Sequence, residues 1–148
     1  MTESSRKFVK ETPLERIFNQ SYGFLVRLGF GFAHNYLLIT RGRKTGREYS
    51  TPVNVLDLGG RRYLVASRGE TGWVRNARAA GAVILKKGAK QWSYKVRELA
   101  VDERPPVIKA FLERFASSVQ RFYTIRAGAP VEEFRAVAEE NPVFELRG

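Results

Sequence analysis

From Tyr36 onward the chain breaks into short runs rich in Val, Leu, Ile and Tyr, each bounded by glycine turns. Five of them, Tyr36–Arg41, Glu48–Leu58, Arg61–Ser67, Ala82–Lys87 and Gln91–Ala100, have the length and composition of β-strands. Gly59-Gly60 and Gly88-Ala89 are two-residue loops of the kind that close antiparallel hairpins, since a left-handed backbone there matches the twist of the strands it joins. A single short helix, Gly72 to Ala80 and ended by Gly81, interrupts the series. Strand–helix units do not alternate, which argues against a doubly wound parallel sheet. The expectation is an α+β chain: a five- or six-stranded antiparallel sheet, closing into a barrel, with helices packed around it.

The flanking sequence supplies the helices. Residues 1–10 read as a flexible, charged lead-in. Thr12 as cap, Pro13 at the first helical position and Glu15 at capping-box spacing open a helix, with an apolar stripe of Leu14, Ile17, Phe18, Phe24, Leu25 and Leu28. The segment Tyr22–Ala33 is apolar and aromatic enough to read as a helix on the core or as a flap over a hydrophobic site or membrane edge. After the strands, Asp102 caps a helix with Pro105 and Pro106 in its first turn and an inner face of Val107, Ile108, Phe111, Leu112 and Phe115. Pro130 opens a last helix through Glu140. No linker or repeat divides the sequence, so one domain spanning 1–148 is expected. No apolar run approaches the ~20 residues of a membrane span, and the opening residues lack the apolar region of a secretory signal. The expected location is the cytoplasm, with peripheral membrane contact through Tyr22–Ala33.

The charge is concentrated. Between Arg41 and Arg97 stand 14 Lys and Arg against three acids, Glu48, Asp57 and Glu70. That stretch carries the whole net charge of +11, and the rest of the chain is neutral. A charge serving only solubility would be spread more evenly, so an anionic partner is expected. Its centre is the loop between the first two strands, where Arg41, Arg43, Lys44 and Arg47 crowd between Gly42 and Gly46. Such a loop aims cations and backbone N–H groups at one anion. It is not a nucleoside-triphosphate loop, because the lysine is not preceded by glycine and a strand rather than a helix follows.

Side-chain chemistry is sparse. Cysteine is absent and His34 is the only histidine, so no metal site is expected and no hydrolytic triad is legible. The acids of the terminal regions read as solvated helix faces. A reaction here would therefore be carried by a cofactor. A second constellation, Leu64-Val-Ala-Ser67-Arg68-Gly69 followed by Trp73, Arg75 and Asn76, places small residues where a strand ends and lets backbone approach a planar ligand. A plain strand exit reads equally well. Two other classes fit the composition: a nucleic-acid binder stacking bases on Tyr49, Tyr63, Trp92 and Tyr94, and a lipid carrier using Tyr22–Ala33.

The two constellations together resemble the deazaflavin-dependent nitroreductases, the split-barrel F420H2-dependent quinone reductases. The resemblance rests on Gly42-Arg-Lys-Thr-Gly46 before Thr51-Pro52-Val53, on Ala66-Ser67-Arg68-Gly69, and on Trp73 with Asn76. It implies a split antiparallel β-barrel related to the FMN-binding oxidases, with flanking helices. It also implies coenzyme F420 as cofactor, FMN being the alternative, and hydride transfer to a quinone, nitro compound or similar small-molecule acceptor. Arg43, Lys44, Thr45 and Arg47 would hold the cofactor's phosphate and acidic tail. Thr51, Pro52 and Val53 would lie along its ring, Ala66, Ser67, Arg68 and Gly69 at its edge, and Trp73 and Asn76 would complete the pocket. The resemblance assigns no proton donor, for which Tyr123 and Tyr22 are the candidates; two copies would pair as related barrels do, and no nucleic acid is then expected as partner. The loop from Gly69 to Trp73 is short for this family and carries an acid, Glu70.

Overall fold

The computed structural model describes residues 35–148; the expected helix from Thr12, the Tyr22–Ala33 segment, Tyr22 itself and His34 lie outside them. Within these residues the strands are β1 (Asn35–Arg41), β2 (Glu48–Asn54), β3 (Leu56–Leu58), β4 (Arg61–Val65), β5 (Ala82–Lys87), β6 (Lys90–Glu98) and β7 (Val143–Arg147). They form one antiparallel sheet in the order β2-β1-β5-β6-β7-β4-β3. Its helices are α1 (Gly72–Ala80), α2 (Arg104–Arg114) and α3 (Ala116–Val119), with 3-10 turns at Val101–Glu103, Gln120–Phe122 and Val131–Val137.

The strand order dictates the shape. β2 and β3 occupy opposite edges of the sheet, yet only Val55 separates them in sequence. Laid flat, seven strands would hold those edges about 29 Å apart, at ~4.8 Å per neighbour. One residue spans at most ~3.6 Å. The sheet must curl until its edges approach, and the result is the split barrel. The run Glu48–Leu58 is thus two strands rather than one. Pro52 is tolerated in β2 because that strand is an edge, where a missing N–H costs no ladder bond.

Two further differences lie toward the C-terminus. β7 was not legible as a strand: its Glu145 and Arg147 break the apolar pattern, and its place between β6 and β4 is set by long-range pairing, Arg97 and Tyr63 both facing Glu145. The segment after Pro130 forms a 3-10 turn over Val131–Val137 instead of an α-helix through Glu140.

Alternation along β4 and β7 sorts two cores. Leu64, Phe144 and Leu146 point into the barrel with Leu38, Val55, Val83 and Leu85, and α1 plugs this interior through Val74 and Ala77. Tyr63, Val65 and Val143 face the other way, onto Ile108, Phe111, Leu112 and Phe134. Each fully buried Leu or Phe side chain there is worth ~1.5–3 kcal/mol. The barrel interior is filled by side chains, which argues against a lipid carried inside it. Of the aromatics named for base stacking, Tyr63 is buried, Tyr94 accepts from Arg62 at 3.2 Å, and Trp92 meets the Tyr36 ring edge-on.

The carboxylate of Glu145 is only 7% exposed and is ringed by Arg61, Arg97 and Arg147, so it is not a solvated acid. Burial alone would push it up. Hydrogen bonds from Arg97 and Arg147 and the charges of Arg147 and Arg61 outweigh that and hold it below the ordinary carboxylate value. A depressed folded-state pKa contributes stability at neutral pH that is lost as pH falls below about 4.3, the unfolded value, and through the folded one. Glu145→Gln should flatten the acid limb of a plot of urea midpoint against pH. An unchanged limb in the variant would assign that limb to other groups.

Candidate active site

The basic loop is built by its own backbone. Gly42 N–H donates to the Arg47 carbonyl at 2.6 Å and Gly46 N–H to the Gly42 carbonyl at 2.9 Å, closing a tight turn between β1 and β2. Gly46 sits at φ +76, in the left-handed region where a side chain is strained. At Gly42 the constraint is space: a Cβ would fall 2.9 Å from the Tyr49 ring and 3.2 Å from the Arg47 carbonyl. Thr45 Oγ1 accepts from Arg47 N–H at 3.2 Å, and Arg41 donates to the Gly46 carbonyl at 3.1 Å.

Asn76 of α1 holds this loop from below. Its Oδ1 accepts from Arg43 Nη1 at 2.8 Å and from Arg43 N–H at 3.3 Å, while its Nδ2 donates to Thr40 Oγ1 at 3.4 Å. Both Asn76 and Thr40 are buried. Arg43, Lys44, Thr45 and Arg47 stay exposed at the rim. Among the described residues no carboxylate forms an ion pair with Arg43, Lys44 or Arg47, whereas Arg41 pairs with Glu48 at 3.8 Å. Three cations without a carboxylate, on a loop of fixed shape, are a donor set suited to a phosphate or a polycarboxylate.

The second constellation is a pair of tight turns at the exit of β4. Ala66 N–H donates to the Pro142 carbonyl at 2.8 Å, Gly69 N–H returns to the Ala66 carbonyl at 3.1 Å, and Gly69 adopts φ +86. Ser67 is buried there, and its hydroxyl lies 2.7 Å from the hydroxyl of Tyr123, 56 residues further on. Burial pushes the Tyr123 phenol well above its ordinary value; the Ser67 hydrogen bond pulls it slightly the other way. The phenol therefore keeps its proton throughout the physiological range. Thr71 caps α1 without a side-chain bond, and its buried Oγ1 has no partner among the described residues.

The structure thus joins Arg43 to Asn76 and Ser67 to Tyr123. Trp73 and Val53 are both packed on the barrel core, Trp73 with its ring 5.8 Å from that of Phe144. Thr51 and Pro52 are half-buried on β2, and Arg68 is half-buried beside the Ser67 turn. The helix α1 links the two constellations: it starts just past Gly69 and grips the basic loop through Asn76. What the sequence did not disclose is the ion network under the short loop. Arg78 donates twice to Glu70 and twice to Glu98. The one available signal was Glu70 itself, an acid placed alone in a strongly basic stretch.

No sequence among curated proteins matches the chain. Its fold is similar to that of an F420-H2 dependent reductase, at 23% identity over 78% of this chain and 95% of the other, with a TM-score of 0.53. A structure described as a domain-swapped dimer matches at 21% identity over 92% of this chain and all of the other, with a TM-score of 0.53. A pyridoxamine 5'-phosphate oxidase-related, FMN-binding protein of Nostoc punctiforme matches at 9% identity over 93% and 81%, with a TM-score of 0.54. These likenesses establish the split-barrel fold. The profile of the F420H2-dependent quinone reductases matches residues 15–131, which takes in both the basic loop and the Ser67–Tyr123 pair. The chain belongs to the F420H2-dependent quinone reductase family.

Proposed function

We propose that this protein is a reductase that uses coenzyme F420 and passes electrons to a quinone, a nitroaromatic compound or a similar small acceptor. The observation that carries the reading is the loop of Arg43, Lys44 and Arg47, free of carboxylate partners among the described residues and clamped by buried Asn76. In this reading Arg43, Lys44, Thr45 and Arg47 hold the cofactor's phosphate and acidic tail. Thr51, Pro52 and Val53 border its ring, Ala66, Ser67, Arg68 and Gly69 meet its edge, and Trp73 walls the pocket. Asn76 acts through Arg43, as the support of the loop. Bound there, the reduced deazaflavin supplies a hydride.

The protein's own contribution is orientation, exclusion of water and one proton. Tyr123 and Ser67 share a hydrogen bond in a buried site, with either hydroxyl able to donate, so the pair together holds that proton. Burial favours the protonated phenol, so the pair enters the reaction with its proton in place, to be drawn off only as negative charge builds on the acceptor. Pairing of two copies belongs to the same reading, supported by the domain-swapped dimer among the similar structures.

Titrating the protein with oxidised F420 tests the proposal through quenching of Trp73 and Trp92. Binding with a Kd in the range of about tens of micromolar or tighter is expected. Failure to bind both F420 and FMN at that concentration would sink it, and preference for FMN would keep the fold and change the cofactor.

A further inference from the structure

Glu70 is the only acid on the loop that runs from Ser67 to α1, and it is not in solution. Its side chain is 11% exposed and accepts two hydrogen bonds from the Arg78 guanidinium, at 2.9 and 3.0 Å. The same guanidinium donates to both oxygens of Glu98, at 2.8 and 2.9 Å. Glu98 in turn accepts from Arg104 at 3.1 Å. Arg104 is buried and also donates to the carbonyls of Leu99 and Ala138, each at 3.0 Å. The four charges form one chain from the loop, through the last turn of α1 and the end of β6, to the start of α2.

Arg78 is 39% exposed, and a single ion pair at such a site is weak. This arrangement differs from a single pair. A planar fork satisfied on two sides has one geometry, and the shielded Glu70 and buried Arg104 fix where its ends lie. Two residues before Arg78, Asn76 grips Arg43 of the basic loop. The same short helix is therefore bonded to both loops of the candidate site.

We propose that Glu70 and Arg78 are a positioning pair: they fix the Gly69–Gly72 rim relative to the basic loop and thereby set which acceptors fit beside the cofactor. This rests on the reading of the site as a deazaflavin pocket. Neither residue touches the reacting atoms in this account. Their effect is on the shape of the opening, so it should appear in acceptor KM and in local backbone opening rather than in cofactor affinity.

Two variants test it, Glu70→Gln, which keeps the volume and removes the charge, and Arg78→Lys, which keeps the charge and removes the fork. Hydrogen exchange of the amides of residues 69–72 should accelerate by about tenfold in Glu70→Gln, with the barrel strands unchanged. The Kd for oxidised F420 should stay within about twofold, while KM for a bulky naphthoquinone rises about tenfold and KM for benzoquinone moves little. Arg78→Lys should move the same readouts by less. Unchanged exchange at residues 69–72 overturns the proposal, as does an equal rise of KM for both quinones. A uniform rise in exchange across the barrel also overturns it, because the pair would then serve global stability alone. If the wild-type protein binds no deazaflavin, the functional reading fails, and the exchange comparison still decides whether the pair positions the rim.

Discussion

Tyr123→Phe is expected to lower kcat for acceptor reduction by about a hundredfold, the low end of what a positioned proton donor contributes. The deazaflavin affinity should hardly change, because the phenol contacts Ser67 and not the basic loop. Steady-state kinetics with a quinone, alongside the fluorescence titration, measures both. The variant also leaves Ser67 Oγ buried without its partner at 2.7 Å. An orphaned buried hydroxyl costs about 1–3 kcal/mol, so the variant should remain folded with a lowered urea midpoint. Ser67→Ala should lower kcat to a similar degree, and the double variant should lower it little more than either alone, since two groups acting as one unit are not additive. An unchanged kcat in Tyr123→Phe would remove the pair from the chemistry. A parallel loss of kcat and cofactor binding would make Tyr123 a structural residue of the pocket.

Arg104→Ala is expected to cost about 3–5 kcal/mol, a large part of the ~5–15 kcal/mol that holds a domain together. The side chain is 8% exposed and serves three partners: the carbonyls of Leu99 and Ala138 and the carboxylate of Glu98. Burial lowers its pKa and the charge of Glu98 opposes that, but an arginine starts so high that it stays charged. Truncation strands the Leu99 carbonyl, leaves that of Ala138 with only the Asn141 N–H at 3.3 Å, and opens a space at the start of α2, where Pro105, Val107 and Ile108 are packed. Arg104→Lys should fall between the two, since an ammonium lacks the fork that reaches all three acceptors. Urea unfolding at constant m-value gives the difference. A loss below about 1 kcal/mol would put Arg104 with ordinary surface pairs.

Much of the barrel was legible because strand and turn preferences act over a few residues. Gly59-Gly60 and Gly88 all take positive φ, and each closes the hairpin its neighbours announce. The short helix at Gly72–Ala80 and its left-handed end at Gly81 were equally local. β7 was hidden because its pattern makes sense only once Phe144 and Leu146 face the barrel while Glu145 meets three arginines from β4, β6 and β7. The ion pairs of Glu98 and Glu145 were hidden for the same reason: nothing near them in sequence tells that their partners are Arg78, Arg104, Arg61 and Arg97. Tyr123 stood out only as a residue type until the fold set it against Ser67.

By itself the sequence determined that a cationic, glycine-bounded turn would lie between two strands and that side chains alone were poorly equipped for chemistry. Both follow from composition and spacing within a dozen residues. Only the tertiary structure decided that Glu48–Leu58 divides at Val55 between opposite edges, because closing the barrel outweighs continuing one strand. The same closure seats α1 in the barrel. From there Asn76 clamps the basic turn and Arg78 ties down the loop at Glu70. Those contacts join residues 33 and eight apart in sequence, and their energy is realised only after burial has removed water from Asn76 and most of it from Glu70.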